Sequence, residues 1–248
     1  MKRTLLLGYA ALAYVLFVAV LAWAVAFVAD VGVVVGIDHG PRVATGAAIA
    51  VDLALLGAFA VHHSVMARPS AKRVLTRFVP AAAERSTYVL SADLLLALVF
   101  WQWRPVGGTL WDVSAQPWRG LLWTLYLAGW ALAVASTFLV DHLDLVGLRQ
   151  AGARDYVPPG FTTRGLYALV RHPLMLGLLV AFWATPTMSG GHLLFAAAAT
   201  AYILVGIRFE EADLRRSIGA PYVDYARRTP ALLPVRRRAV PGARVNEL

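Results

Sequence analysis

The sequence predicts an all-α integral membrane protein, a polytopic bundle of about six helices whose last two form a short hairpin. Of its 248 residues, 59% are hydrophobic and only 15% are charged, which is more apolar than a soluble domain of this size requires. Long apolar stretches recur along the chain, and the basic residues lie between them on one side. These observations indicate that lipid is the main solvent of the chain.

Four apolar stretches are read as membrane helices. Residues 5–29, 43–65 and 121–140 are each near the roughly 20 residues that cross a bilayer core. Residues 88–103 form a shorter third span. The charged Asp52 and Asp93 lie inside two of these spans, where a charge is costly, and this favours a functional role or a buried partner for each.

Two further apolar stretches, residues 174–188 and 192–207, are separated only by Ser189, Gly190 and Gly191. This spacing predicts a tight helical hairpin with short arms. Pro186 is expected to kink the first arm near its outer end. The hairpin returns the chain to the side on which it started, so residues just before and just after it are predicted to be neighbours.

The distribution of basic residues predicts the orientation. If the N-terminus is cytoplasmic, the inner segments hold twenty of the 23 lysines and arginines, and the outer segments hold only Arg42, Arg104 and Arg119. By the positive-inside rule both termini are cytoplasmic. The net charge of +9 is then explained by anionic lipid headgroups, and nucleic acid is not expected as a partner.

We divide the chain into three units. Residues 1–140 form a four-helix transmembrane region, residues 141–235 a core with a loop, the hairpin and a cytosolic helix, and residues 236–248 a basic, disordered tail. The chain has no cysteine, which excludes disulfides, thiolate metal sites and a cysteine nucleophile. The six histidines lack the helical spacing of a metal face, so no metal is predicted and a metal-dependent membrane oxidase is disfavoured.

The polar residues that flank the predicted hairpin are expected at the same depth in the membrane. Asp141 and His142 follow the fourth span, Arg171 and His172 precede the hairpin, and carboxylates and tyrosines follow it. An ordered set of residues marks this region: Arg171, His172, Pro173, Gly177, Glu210, Glu211, Leu214, Gly219, Tyr222, Tyr225, Arg228, Pro230 and Pro234. The set resembles the C-terminal signature of the isoprenylcysteine carboxyl methyltransferase superfamily.

Residues elsewhere narrow the resemblance to the bacterial methanethiol S-methyltransferases of that superfamily. They are His63, Ser64, Met66, Ala67, Arg68 and Pro69, with residues 84–88, 100–105, 182–188 and 202–206. The resemblance implies a methyl transfer from S-adenosylmethionine to a small thiol, giving dimethyl sulfide, in the bacterial inner membrane. Neither a Gly-rich nucleotide fingerprint nor a Rossmann strand is expected when a cofactor binds between membrane helices.

Site roles follow from the resemblance and from the expected proximity. The predicted cofactor-binding residues are His172, Pro173, Arg208, Glu210, Glu211, Tyr222 and Tyr225. For catalysis, we hypothesise that Asp141 or His142 accepts the thiol proton and that Arg171 supplies positive charge. His62, His63 and Ser64, at the inner end of the second span, are interpreted either as substrate-binding residues or as headgroup contacts, and Asp141 and His142 either as the base or as helix caps.

Other functions remain open at this point. A member of the same superfamily could methylate a prenylated cysteine, a lipid amine or another thiol, with the same cofactor chemistry. A non-catalytic membrane accessory protein of the NnrU type would keep the fold but not the cofactor. Transport is disfavoured because the polar groups crowd one face and not the midplane.

Overall fold

The computed structural model describes residues 3–32 and 34–233 and confirms the predicted all-α fold class. The helices are α1 (Arg3–Ala29), α2 (Thr45–Met66), α3 (Pro69–Leu75), α4 (Ala81–Gln102), α5 (Trp118–Val140), α6 (His142–Leu145), α7 (Leu148–Gly152), α8 (Leu166–Leu169), α9 (Pro173–Trp183), α10 (Gly190–Ser217) and α11 (Ala220–Arg228). Two short strands, β1 (Thr109–Asp112) and β2 (Thr187–Ser189), pair antiparallel. The predicted basic tail, residues 236–248, lies outside the described residues.

Within those residues, α1, α2, α5 and α10 are the helices long and apolar enough to cross a membrane. The remaining two of the predicted six are α4, which has 22 residues and includes charged side chains, and α9, which is apolar but has 11 residues. Because α4 packs against α1 and α2, and α9 packs against α5, both belong to the bundle. We call the end at which α1 begins and α10 ends the basic end.

The third span is longer than predicted. α4 begins at Ala81, directly after Pro80, and not near residue 88. Alanines at its start favour the helix, and Glu84 in the first turn interacts favourably with the helix dipole. The prediction of a short span was wrong because it counted apolar residues, whereas the helix continues through polar residues at the basic end.

The predicted three-residue turn between the hairpin arms is also wrong. α9 ends at Trp183, before Pro186, and residues 184–189 form the connection that includes β2. Gly190 begins α10, and the Ser189 side chain caps that helix by accepting from the backbone N–H of His192 at 3.0 Å. A Cβ on Gly190 would lie 2.6 Å from the carbonyl oxygen of Gly107, so glycine permits the approach of the two loops.

The second arm of the hairpin was predicted to end at residue 207, but α10 continues to Ser217 and has 28 residues. Ion pairs at helical spacing support the extension, with Arg215 bonded to Glu211 and Arg216 to Asp213. Consequently Glu210 and Glu211 are held on a rigid helix that projects from the bundle at the basic end.

The core is aromatic at the end of the bundle opposite the basic end. It is also closely packed between α5 and α9. At the aromatic end Phe27 stacks on Phe100, and the ring of Trp103 meets Phe27 and Phe195 edge to face. The indole N–H of Trp103 donates to the Ile37 carbonyl at 3.0 Å. Gly129 of α5 and Gly177 of α9 let the two backbones approach, since a Cβ on either would lie 2.6 Å from a backbone atom of the other helix. The packing fixes where α9 begins, and therefore where residues 171–173 lie.

Candidate active site at the basic end

The Arg-His-Pro motif lies where α9 begins, near the last turns of α10 and near α11. The backbone N–H of Arg171 donates to the Pro230 carbonyl at 2.9 Å, and that of His172 to the Ala231 carbonyl at 3.0 Å. Pro173 is at the first turn of α9, where its missing N–H leaves no helical hydrogen bond unmade. The segment after α11 is thereby fixed beside the start of α9.

Arg171 connects three elements. Its side chain is 7% exposed; Nε donates to Glu211 Oε1 at 2.8 Å, and Nη2 donates to the same oxygen. Nη1 donates to the carbonyls of Ala226 and Thr229 at the end of α11, which lack helical partners. The donors of Arg171 are thus directed at α10 and α11, which favours a positioning role; its role as positive charge beside a thiolate stays a prediction.

His172 lies between the two carboxylates of α10. Its Nε2 is 3.2 Å from Glu211 Oε1 and its Nδ1 is 3.6 Å from Glu210 Oε2. Glu211 is buried and also accepts from Arg215 at 3.0 Å, so its oxygens are occupied by the protein. Glu210 keeps a carboxylate that is about half exposed, 51%, and it can therefore bind a ligand.

Aromatic side chains of α11 complete this cluster. Tyr222 and Tyr225 are buried and meet edge to face, and Phe161 contacts both rings. The Tyr225 hydroxyl donates to the Tyr167 carbonyl at 2.6 Å, and burial raises the pKa of Tyr225 to about 12, so it remains a donor at neutral pH. The hydroxyl of Tyr222 has no hydrogen-bond partner in the part of the chain that the structure describes.

A cavity of about 780 Å³ opens beside Tyr225. It lies between α11 and the segment before α8, and its lining includes Phe161, Tyr225 and Arg228. This volume is in the range of small-molecule sites. Of the cluster, Tyr225 borders this cavity, whereas His172, Glu210 and Tyr222 are not among the residues that line it.

Asp141 and His142 have partners elsewhere. Asp141 pairs with Arg149 at 2.6 Å and caps α6 by accepting from the N–H of Asp144. The ring nitrogens of His142 lie 2.8 Å from the Thr137 hydroxyl and 3.1 Å from the Tyr14 hydroxyl, and burial lowers the pKa of His142. These contacts favour the alternative interpretation of both residues, as structural groups at the end of α5.

Arg208 does not join the cluster. Residues two apart on a helix project about 200° apart, so Arg208 and Glu210 face nearly opposite sides of α10. The residue is exposed. The contact of Arg208 with the cofactor stays a prediction.

Two of the three predicted substrate residues of α2, His63 and Ser64, lie in a second polar cluster, whereas His62 Nδ1 is buried without a hydrogen-bond partner among the described residues. The Tyr88 hydroxyl is 2.9 Å from Nε2 and 3.1 Å from Nδ1 of His63, and Ser64 Oγ is 3.3 Å from the Tyr202 hydroxyl. Sequence reasoning missed Tyr88 and Tyr202. Both lie in segments of the resemblance, but their proximity depends on the packing of α2 against α4 and α10, which no local pattern shows.

The two intramembrane aspartates are buried, as their positions suggested. Asp52 has a partner, since its Oδ1 accepts from the backbone N–H of Arg104 at 2.9 Å. Asp93 Oδ2 has no hydrogen-bond partner among residues 3–32 and 34–233. Asp52 therefore fixes the loop after α4, which is a structural role.

Comparison with known proteins identifies relatives over nearly the whole chain. The chain is 49% identical over 238 residues to a protein of Mycobacterium tuberculosis named methanethiol S-methyltransferase, covering 94% of this chain and 98% of that protein. It is 49% identical over 237 residues to methanethiol S-methyltransferase 2 of Bradyrhizobium diazoefficiens, covering 94% and 91%. Nurim of Mus musculus is 32% identical over 182 residues, 68% and 69% of the two chains.

No protein-family model matches the chain, and no solved structure matches it. The resemblance to methyltransferases drawn from the motifs is nevertheless confirmed by these full-length relatives. The chain belongs to the methanethiol S-methyltransferase family.

Proposed function

We propose that this protein methylates methanethiol to dimethyl sulfide with S-adenosylmethionine as the methyl donor. The observation that carries the proposal is the 49% identity to a methanethiol S-methyltransferase over 98% of that protein. The site at the basic end supports it because its groups suit the amine, the ribose and the purine of such a donor.

The residues that would hold the cofactor are His172, Glu210, Tyr222 and Tyr225. Glu210 offers an accessible carboxylate for an amine or a ribose hydroxyl, and the Tyr222 hydroxyl is a buried donor without a partner in the described residues. The aromatic rings offer apolar faces to a purine. When bound, S-adenosylmethionine supplies an activated methyl group on a sulfonium.

Pro173 and Glu211 act on the same site indirectly. Pro173 begins α9 and sets the position of His172, while Glu211 bonds both Arg171 and His172. Removing either would displace the histidine relative to Glu210. This arrangement is consistent with a rigid site carried by helix ends.

We place the basic end in the cytoplasm of a bacterial cell, with the bundle in the inner membrane. The proposal follows the positive-inside rule, because fifteen of the eighteen lysines and arginines among the described residues belong to the segments of that end. The cofactor would then enter from the cytoplasm. Lipid headgroups would contact exposed cations such as Arg208.

The acceptor would bind near His62, His63 and Ser64, on the bundle side of α2. Phe59 stacks on His63 with ring centroids 5.3 Å apart, and an aromatic lining suits the methyl group and polarisable sulfur of a small thiol. A prenylated cysteine, the main alternative acceptor, requires room for a long lipid chain. The acceptor test below separates the two.

The test is product formation by purified protein in detergent, given methyl-labelled S-adenosylmethionine and either methanethiol or a prenylated cysteine. We expect labelled dimethyl sulfide in the headspace and no labelled prenylcysteine ester. His172→Ala is expected to lose most of the product, because the histidine bridges the carboxylates of α10. Labelled ester without dimethyl sulfide would show that a prenylated cysteine is the acceptor. Absence of both products would refute the proposed activity.

A further inference from the structure

A second group of titratable side chains lies away from the cofactor site, between α2, α4 and α10. It consists of His63, Ser64, Tyr88 and Tyr202, and we call it the histidine box. Three helices contribute to it, and each polar member has a partner within the group. Polar side chains inside a membrane bundle are costly and commonly functional.

The walls of the box are aromatic. The ring centroids of Phe59, Tyr88 and Tyr202 lie 5.3, 5.2 and 6.4 Å from that of His63. The Tyr88 hydroxyl lies near both ring nitrogens. When it accepts from the protonated nitrogen, the other nitrogen carries the lone pair that can take a proton. A neutral imidazole in such surroundings has an available proton-accepting nitrogen.

The charged neighbours favour the same state. Within the described residues, the titratable groups around His63 are His62 on α2, Tyr88, Glu84 and Arg85 on α4, and Tyr202 on α10. Arg85 lies over the Tyr88 ring at 5.4 Å. A cation at this side disfavours a second positive charge on the imidazole and favours a nearby thiolate.

The box and the cofactor site are connected by one helix. Tyr202 and Glu210 are both on α10, eight residues and therefore about 12 Å apart along its axis. Glu210 faces the same side of α10 as the buried Ile203, seven residues earlier. The two groups are therefore about 12 Å apart along α10 and on faces of that helix about 80° apart.

We infer that the histidine box is the thiol-activating site, with His63 as the catalytic base and Tyr88, Tyr202 and Ser64 as its positioning residues. The inference rests on the proposed function. The S–H proton moves to the free nitrogen of His63, and the sulfur lone pair forms the new bond to the methyl carbon. The electron pair of the breaking carbon–sulfur bond stays on the departing thioether, and His63 afterwards releases its proton to water.

The inference is tested by the pH dependence of kcat/KM for methanethiol in the intact protein. At neutral pH, His63→Ala is expected to lose about 100-fold or more, the usual contribution of a general base. The loss should shrink as pH rises, because solution thiolate then replaces the missing base. The affinity for S-adenosylmethionine should stay unchanged.

Tyr88→Phe is the companion variant, because it keeps the ring and removes only the hydroxyl. We expect a lower kcat and a shifted acidic limb of the pH profile, with cofactor affinity unchanged. If His63→Ala fails to fold, Tyr88→Phe tests the base assignment alone. Wild-type pH profiles in both variants, or an equal loss at every pH, would overturn the base assignment. A wild-type protein that makes no dimethyl sulfide would refute the proposed function, which is a different result.

Discussion

Replacement of Arg171 with alanine is expected to lower the free energy of unfolding by about 3–5 kcal/mol, the cost of breaking a buried ion pair. The guanidinium binds Glu211 and the carbonyls of Ala226 and Thr229. Its loss leaves a buried carboxylate without its main partner and frees the end of α11. Cofactor affinity should fall as well, because Tyr222 and Tyr225 lose their fixed position.

The matched control is Arg215→Ala, which removes a second arginine from the same carboxylate. The Arg215 side chain is 53% exposed, and exposed pairs contribute about 0–1 kcal/mol. Unfolding in mixed detergent measures both variants. The double variant Arg171→Ala with Glu211→Ala should recover part of the stability, because the buried charge is then removed. Equal effects of Arg171→Ala and Arg215→Ala would contradict the positioning role.

The second large effect is expected at the contact between α5 and α9. In Gly129→Ala, the added Cβ would lie 2.6 Å from the backbone nitrogen of Ala181 and 2.7 Å from the carbonyl oxygen of Gly177. Backbone atoms cannot rotate aside, so the helices must separate. The expected cost is near the upper end of the usual overpacking range of about 1–3 kcal/mol.

Gly57→Ala is the control for this change. Gly57 is also inside a membrane helix, but a Cβ there meets nothing within 4 Å. Alanine should be neutral or slightly stabilising at that position, by at most about 1 kcal/mol. Thermal unfolding of the two variants side by side measures the difference. Comparable stability of the two would mean that α5 and α9 are not in close backbone contact.

Much of the fold could be predicted because a long apolar segment of the sequence is enough to predict a membrane helix. The long spans α1, α2 and α5 required only apolar length. The lengths of α4 and α10 were missed because these helices continue into polar sequence, where Glu84 and Glu211 are stabilised by the helix dipole and by ion pairs. The pairing of β1 with β2 depends on contacts between residues far apart in the chain, which periodicity does not show.

The candidate site could be predicted in part. Because the hairpin returns the chain to its starting side, His172 was expected near Glu210, and the structure brings them to 3.6 Å. The contacts of Arg171 with the end of α11 could not be read from the sequence, since their acceptors are backbone carbonyls. His142 resembles a base in sequence, yet tertiary packing pairs it with Tyr14.

The central claim is that the cluster of His172, Glu210, Tyr222 and Tyr225 binds S-adenosylmethionine, and equilibrium binding of the labelled cofactor tests it most directly. The wild-type protein and His39→Ala, a change at an exposed residue of the opposite end, should bind with equal affinity. His172→Ala should bind at least about 100-fold more weakly, which corresponds to about 2.7 kcal/mol. Equal binding by all three proteins, or no binding by the wild type, would contradict the account.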